Sequence, residues 1–310
     1  MEFRHLFTAA FVAVVLATPF QLRAKDPVDF AGRMEALETV ERAMSPDVAP
    51  GPILKHAFAV NFGQVPVDAL DQLSDADLTV YVSATHRLAF YTHDPDDLAR
   101  VEAAFAVLEA RGLGTPFEVR MMFKDFVRYR TFERARALAA RYPDIEFEPL
   151  PRFTGLDGAF DGPTVLALDD EGVVSRVAAG VPAHGPYVVV AAHPLCHFSA
   201  NAVRAIEQDA DVASLFAGRT LWLMPQDGHM NIDVVRDWNR EFPGYAMRWA
   251  YRTADWPMIK RWSTPNFYFY RDGTLVDTVV GWPQEGNRDA LLAAFARIGV
   301  VPGGAAQRSR

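Results

Sequence analysis

Cysteine is the residue that this chain most nearly lacks, since Cys196 is the only one among 310 residues. A single cysteine excludes any disulfide within the chain, so the fold must be stabilised by its hydrophobic core. Half of the residues are hydrophobic, and a chain of this length has room for two domains.

Basic residues are also in short supply. Lysine and arginine total 31 against 39 aspartates and glutamates, which gives a formal net charge of −8. A nucleic-acid partner would favour a basic face, so the charge balance argues against one. Beyond the N-terminus, no apolar run approaches the roughly 18 residues that a membrane span needs. The sequence therefore predicts no nucleic-acid partner and no membrane span beyond an N-terminal leader.

The N-terminus has the pattern of an exported protein. Arg4 and His5 precede an apolar run over residues 6–17, and small and polar residues follow as far as Ala24. This pattern is typical of a secretory signal peptide, so we predict a signal peptide over residues 1–24 and a periplasmic or otherwise exported location. A retained, uncleaved anchor is the alternative. An unpaired cysteine in an oxidising compartment is a reactive group and invites a functional explanation.

Residues 25–150 are predicted to form a helical domain. Apolar residues recur at helical spacing there, and Asp94 and Thr131 stand where helices begin. Leu98 and Phe132 occupy matching positions 34 residues apart, which is the period of tetratricopeptide repeats. Degenerate tetratricopeptide-like hairpins are one interpretation, and an ordinary helical domain is the other.

The C-terminal half alternates strand and helix patterns, which predicts an α/β fold with a sheet covered on both faces. In chain order the pattern predicts a hairpin at 164–177, a strand at 187–192, a helix from Ser199, a strand at 220–224, a helix from Val234, a strand at 245–251, a short helix at 257–262, a hairpin at 266–280, a helix at 291–298 and a loose tail at 301–310.

Cys196 stands in the turn between the strand at 187–192 and the helix that follows. At a helix N-terminus the unpaired N–H groups and the macrodipole favour a thiolate over a thiol. The neighbouring His193 and His197 favour the thiolate when they are charged. Ser199 is interpreted as the N-cap of the helix in preference to a catalytic hydroxyl.

The order of these elements, with Ser263-Thr264-Pro265 leading into the last hairpin, resembles the thioredoxin fold. The resemblance covers residues 164–299, and we predict a thioredoxin-like domain over residues 160–300. It implies a cis Thr264–Pro265 bond packed beside Cys196. Pro265 lies 69 positions after Cys196, which leaves room for an extra helix and strand. That insertion and the preceding hairpin are similar to exported TlpA-like thiol–disulfide oxidoreductases.

The sequence departs from that family at several positions. The family motif is C-x-x-C, whereas this chain has C-x-x-S with Ser199 in the place of the resolving cysteine. Leu195 replaces the usual aromatic residue, and Val190 stands where thioredoxins place a buried carboxylate. The attacking cysteine is kept, but the resolving cysteine is missing. A complete dithiol cycle therefore cannot close within the chain.

The preferred function is thiol–disulfide chemistry on another protein, through mixed disulfides that an outside thiol resolves. The predicted catalytic positions are Cys196, Ser199 and Pro265, and the predicted substrate contacts are Thr264, His197, Phe198 and Trp262. Trp256 and Trp262 are expected to rim a peptide groove. The alternative function is a non-catalytic partner-binding or assembly protein that uses a vestigial thioredoxin fold.

A copper(I) site is a lesser alternative, because soft sulfur and imidazole ligands suit that ion. The candidate ligands are His193, Cys196, His197, Met224, His229 and Met230. Their spacing matches no standard ligand pattern, so we expect no metal and no cofactor. The isolated histidines are interpreted as surface or capping residues, namely His56, His86, His93 and His184.

Overall fold

The computed structural model describes residues 29–45, 48–260 and 262–303. The predicted signal peptide lies outside these residues, as does most of the predicted tail. Within the described ranges, no helix is both long enough and apolar enough to cross a membrane.

The N-terminal half is helical, as the periodicity predicts. Its helices are α1 (Phe30–Ala43), α2 (Pro50–Phe62), α3 (Asp75–Thr92), α4 (Pro95–Ala110), α5 (Pro116–Arg128) and α6 (Phe132–Arg141), with a 3-10 segment at Val67–Gln72. Asp94 caps α4 by accepting a hydrogen bond from the Asp96 N–H. Thr131 precedes α6, but its hydroxyl donates to the Phe126 carbonyl and makes no capping bond.

A buried charged cluster joins two of these helices. The Asp125 carboxylate on α5 contacts Nδ1 of His86 on α3 and also accepts from the Arg128 guanidinium. All three side chains are buried. His86 is therefore neither a surface residue nor a capping residue, and that prediction is wrong. The sequence does not show this, because the carboxylate that His86 contacts lies on another helix.

The C-terminal half contains a mixed sheet. Its strands are β1 (Phe153–Thr154), β2 (Thr164–Leu168), β3 (Val174–Ala178), β4 (Pro186–Ala191), β5 (Thr220–Met224), β6 (Met247–Ala250), β7 (Asn266–Arg271) and β8 (Thr274–Val280). The helices between and after them are α7 (His197–Gln208), α8 (Ala210–Phe216), α9 (Ile232–Glu241) and α10 (Arg288–Arg297).

The strand order is β1-β3-β2-β6-β5-β4-β7-β8. Strand β4 runs parallel to β5 and antiparallel to β7, and β8 pairs antiparallel with β7. With α7 after β4 and α10 after β8, this is the thioredoxin topology that the sequence predicts. The extra helix and strand form α9 and β6, and β6 pairs with both β5 and β2.

The two faces of the sheet are covered differently. Val188 and Val190 of β4 belong to the large core cluster that includes side chains from α7, α8, α9 and α10. The alternate residues of β4 face a second cluster that Trp256 and Ile259 cover. Among the described residues, no helix contributes a side chain to that second cluster, so loop residues cover this face and helices cover the other. The sheet is therefore covered on both faces, as predicted.

Two predictions about helices are corrected. The single helix predicted from Ser199 begins at His197 and divides in two, because Asp209 ends α7 and caps α8 through the Val212 N–H. The short helix predicted at 257–262 is absent from the described part of that segment. So short a segment cannot sustain a helix by itself.

Candidate functional site

Cys196 lies at the tip of α7, immediately after the turn that leaves β4. It is the N-cap residue of the helix, and its own N–H donates to the His193 carbonyl at 2.9 Å. Because the helix starts at His197, Ser199 is its third residue, and the interpretation of Ser199 as the N-cap is wrong. The thiol itself is partly exposed.

The Thr264–Pro265 segment lies beside the sulfur. The Thr264–Pro265 bond is cis, as predicted. Ala191 at the end of β4 pairs with Asn266 at the start of β7, so the segments that extend from these two residues meet at the same edge of the sheet. The Cys196 thiol donates to the Thr264 carbonyl at 3.3 Å.

The surroundings of the sulfur favour its ionised form. Partial burial acts to raise the pKa of the Cys196 thiol, but interactions with the Thr264 side chain, with Ser199 and with the Phe198 N–H outweigh it and lower the pKa. The Cys196 side chain accepts no capping hydrogen bond in the thiol form. The N–H groups in the first turn of α7 are therefore available to stabilise a thiolate.

Ser199 is buried beneath the cysteine turn, where the family places its resolving cysteine. The Ser199 hydroxyl accepts a hydrogen bond from the His193 N–H at 3.3 Å. Its side chain has no exposure to solvent. Ser199 therefore supports the turn structurally, and a hydroxyl cannot resolve a mixed disulfide because that step needs a thiolate.

His193 is part of the cysteine turn, and it has a partner that the sequence pattern did not reveal. Its Nδ1 accepts from the Leu195 N–H at 3.2 Å. Its Nε2 lies 3.4 Å from Oδ2 of Asp227, which follows β5. Asp227 sits in a loop without periodicity, so only the fold brings it to the site.

The other predicted substrate contacts differ in how exposed their side chains are. His197 and Phe198 are exposed and pack on each other, with ring centroids 3.8 Å apart. Trp262 is half-buried against the second core cluster. Trp256 is buried in that cluster, so it does not rim a groove as predicted.

Apolar side chains and a cleft flank the nucleophile. Leu195, Phe198 and Val280 are exposed by 63%, 44% and 69%. Beside them a cleft of about 580 Å³ opens between α7 and the loop at 282–286. Its lining combines rings and polar groups, including Phe198, Trp282, Asn201, Arg204 and Glu285.

The potential metal ligands are not gathered into one group. Across the described residues, no set of three or more His, Cys, Asp or Glu side chains is placed to hold a metal ion. Met224 and Met230 are buried in the core, and the Met230 sulfur lies 3.9 Å from Arg130 Nη1.

No family model matches the sequence, and no curated protein matches it. Among solved structures, the chain is similar to a thioredoxin-like protein from Bacteroides caccae, with 10% identity, a TM-score of 0.30, and 89% of this chain and 99% of that chain covered. The observations that identify the thioredoxin topology are the strand order and the cis Thr264–Pro265 bond.

Proposed function

We propose that this chain is an exported, TlpA-like thioredoxin-fold protein that acts on the thiols and disulfides of other proteins through Cys196. The observation that carries the proposal is the position of the sulfur. It lies at the N-terminus of α7 and faces the Thr264 carbonyl, in surroundings that lower its pKa.

The chemistry requires one nucleophile and one outside thiol. The Cys196 thiol releases its proton to solvent, and the thiolate attacks one sulfur of a substrate disulfide. The substrate S–S bond breaks, a Cys196–substrate S–S bond forms, and the other substrate sulfur leaves as a thiolate. A second thiolate, from the substrate or from a small thiol, then attacks the mixed disulfide and releases Cys196. This sequence suits isomerisation or thiol exchange.

The surface around the sulfur suits an extended polypeptide. The backbone at Thr264 and Pro265 leads into β7 and can align a substrate segment as an added strand. Leu195, Phe198 and Val280 offer exposed apolar contacts on the flanks. The cleft beside α7 accommodates side chains of the same segment.

A non-catalytic binding protein is the second candidate, and a specific observation favours it. Ser199 is fully buried in the resolving position, and Val190 replaces the carboxylate that would assist proton transfer. In that case the helical half and the groove beside Thr264 hold a partner, and the chemistry of Cys196 is incidental.

Trapping the intermediate tests the proposal. The purified protein is mixed with a protein substrate that carries scrambled disulfides, and covalent adducts are measured by intact mass spectrometry. We expect one substrate molecule per Cys196 and its release by a small thiol. Cys196→Ser is the control and forms no adduct. Absence of any adduct with the native protein supports the binding protein instead.

A further inference from the structure

The loop at 225–231, between β5 and α9, is held by the helical half. The Gln226 side chain donates to the Arg128 carbonyl at 2.7 Å. The Gln226 carbonyl lies 2.9 Å from Nε2 of His93, at the end of α3. The Gln226 side-chain oxygen accepts from the Thr253 N–H at 2.7 Å. These contacts tie the start of the loop to the helices and to the sheet domain together.

The far end of the loop is fixed in the same way. The Glu148 carboxylate accepts from the Met230 N–H at 3.1 Å and from the Asn231 N–H. At Gly228 the loop passes so close to α5 that a Cβ would lie 2.9 Å from Lys124 Cβ. Only glycine permits this approach, so the backbone of the loop is packed directly on the helix.

Asp227 is held between these two anchors, and its carboxylate faces the cysteine turn. Oδ2 lies 3.4 Å from His193 Nε2. The charge of Asp227 also acts on Arg130, a buried residue whose guanidinium donates to the Ala250 carbonyl at 2.8 Å. The Asp227 carboxylate therefore contacts the imidazole of the cysteine turn, and its charge also influences a buried cation that follows α5.

Two contacts, one at each ring nitrogen, together assign the tautomer of His193. Nδ1 accepts from the Leu195 N–H, so the proton is on Nε2 and is directed at the carboxylate. With the ring fixed in this tautomer, the Leu195 N–H is satisfied. The His193 carbonyl at the same time receives the Cys196 N–H at 2.9 Å. The orientation of the imidazole is thus part of the geometry that presents the sulfur.

We infer that Asp227 is a positioning residue for Cys196, acting through His193, and that the helical half holds it in place through the loop at 225–231. The inference rests on the proposed function, since it assigns a role in presenting the same nucleophile. Beyond Asp227 and His193, the charged or titratable groups that face this region are Arg130, Arg128, His93, and the His229–Glu148 pair, whose Nδ1 and Oε2 atoms lie 3.4 Å apart.

The direction of the effect separates positioning from simple electrostatics. Removal of a negative charge near the sulfur would favour the thiolate and lower the thiol pKa. Loss of positioning would slow the reaction of the thiolate itself. Asp227→Asn removes the charge but keeps an acceptor oxygen, whereas Asp227→Ala removes both.

The experiment measures the rate of alkylation by iodoacetamide against pH in the full chain. We expect Asp227→Ala to lower the limiting rate at high pH about fivefold, the equivalent of one hydrogen bond. Asp227→Asn should recover most of the limiting rate. NMR shifts of the His193 ring nitrogens should report the Nε2–H tautomer in the native protein and in Asp227→Asn, and its loss in Asp227→Ala. Asp237→Ala, an exposed acidic residue on α9, is the matched control.

Two further variants test the route of the effect. In a His193→Ala background, Asp227→Ala should cause no further loss, since residues that act through one another are not additive. Gln226→Ala, which loosens the loop from the helical half, should shift the rate in the same direction as Asp227→Ala.

The inference is overturned if Asp227→Ala keeps the native limiting rate, or if its effect adds fully to that of His193→Ala. Should Asp227→Ala fail to fold, a fivefold loss in Asp227→Asn with a native tautomer of His193 would equally contradict it. Alkylation needs no disulfide substrate, so its outcome is independent of whether the native protein forms mixed disulfides.

Discussion

The sulfur of Cys196 lies 3.3 Å from the carbonyl oxygen of Thr264, although 68 positions separate the two residues in the sequence. The antiparallel pairing of β4 with β7 produces this proximity, because it places Ala191 opposite Asn266. A polypeptide that aligned with the Thr264 backbone would bring its own disulfide to the sulfur.

Thr264→Ala should raise the pKa of the Cys196 thiol. The interaction with the Thr264 side chain is the largest of the effects that lower this pKa, and partial burial, which raises it, remains in the variant. The pH dependence of alkylation measures the change, with Thr278→Ala on the exposed part of β8 as the control. An unchanged pKa in Thr264→Ala would show that the threonine does not stabilise the thiolate.

Ser199→Cys should restore an internal dithiol. Residue 199 is one helical turn after Cys196, close to the separation that a disulfide bridges once the tip of the helix adjusts. We expect the oxidised variant to lose both free thiols in a thiol assay and to release mixed disulfides without an outside thiol. Ser199→Ala is the control and should remain dependent on an outside thiol. Two persistent free thiols after oxidation would contradict the thioredoxin-like arrangement of the turn.

Asp125→Asn should destabilise the helical half strongly. The substitution leaves the buried Arg128 guanidinium without its charged partner, and breaking a buried pair costs about 3 kcal/mol or more in the free energy of unfolding. Urea denaturation measures this. Asp237→Asn, in an exposed pair, should change stability by less than about 0.5 kcal/mol. A similarly small loss in Asp125→Asn would show that water reaches the cluster.

The stability of the protein should fall in acid because of His93. Burial lowers the pKa of His93 from 6.5 to about 4. Since the folded value is below the unfolded one, the unfolded chain binds the proton first, and stability is lost as pH falls from about 6.5 to about 4.

Thermal unfolding between pH 7.5 and pH 4 measures this loss. His93→Gln should flatten the pH dependence, whereas His56→Gln, at an exposed position of α2, should not. Any cost of a glutamine at the positive φ of residue 93 is the same at every pH. An equally steep slope in His93→Gln would assign the acid sensitivity to other groups.

Sequence reasoning identified the parts of the site that depend on local pattern. The apolar run that forms β4 and the change to helical periodicity placed Cys196 in the turn before α7. The cis Thr264–Pro265 bond was predicted from the resemblance to the thioredoxin fold. The α/β character of the C-terminal half and the helical character of the N-terminal half followed from the periodicity, and the thioredoxin-like strand order followed from the resemblance.

The remaining features depend on tertiary contacts between distant segments. Asp227 stands in an irregular loop, whose neighbouring residues Gln226 and Gly228 pack on the helical half, and it meets His193 only in the folded chain. His86 and Asp125 lie 39 positions apart on different helices, so no periodicity links them. Neither relationship leaves a signal in a single sequence.

The pH dependence of Cys196 alkylation in the native chain tests the central claim most directly. Because Cys196 is the only cysteine, the reaction reports this one thiol without further substitution. We predict an inflection below the value of about 8.5 that is typical of a free cysteine, because the interactions around the sulfur lower its pKa. An inflection at or above that value would contradict the assignment of Cys196 as an activated nucleophile.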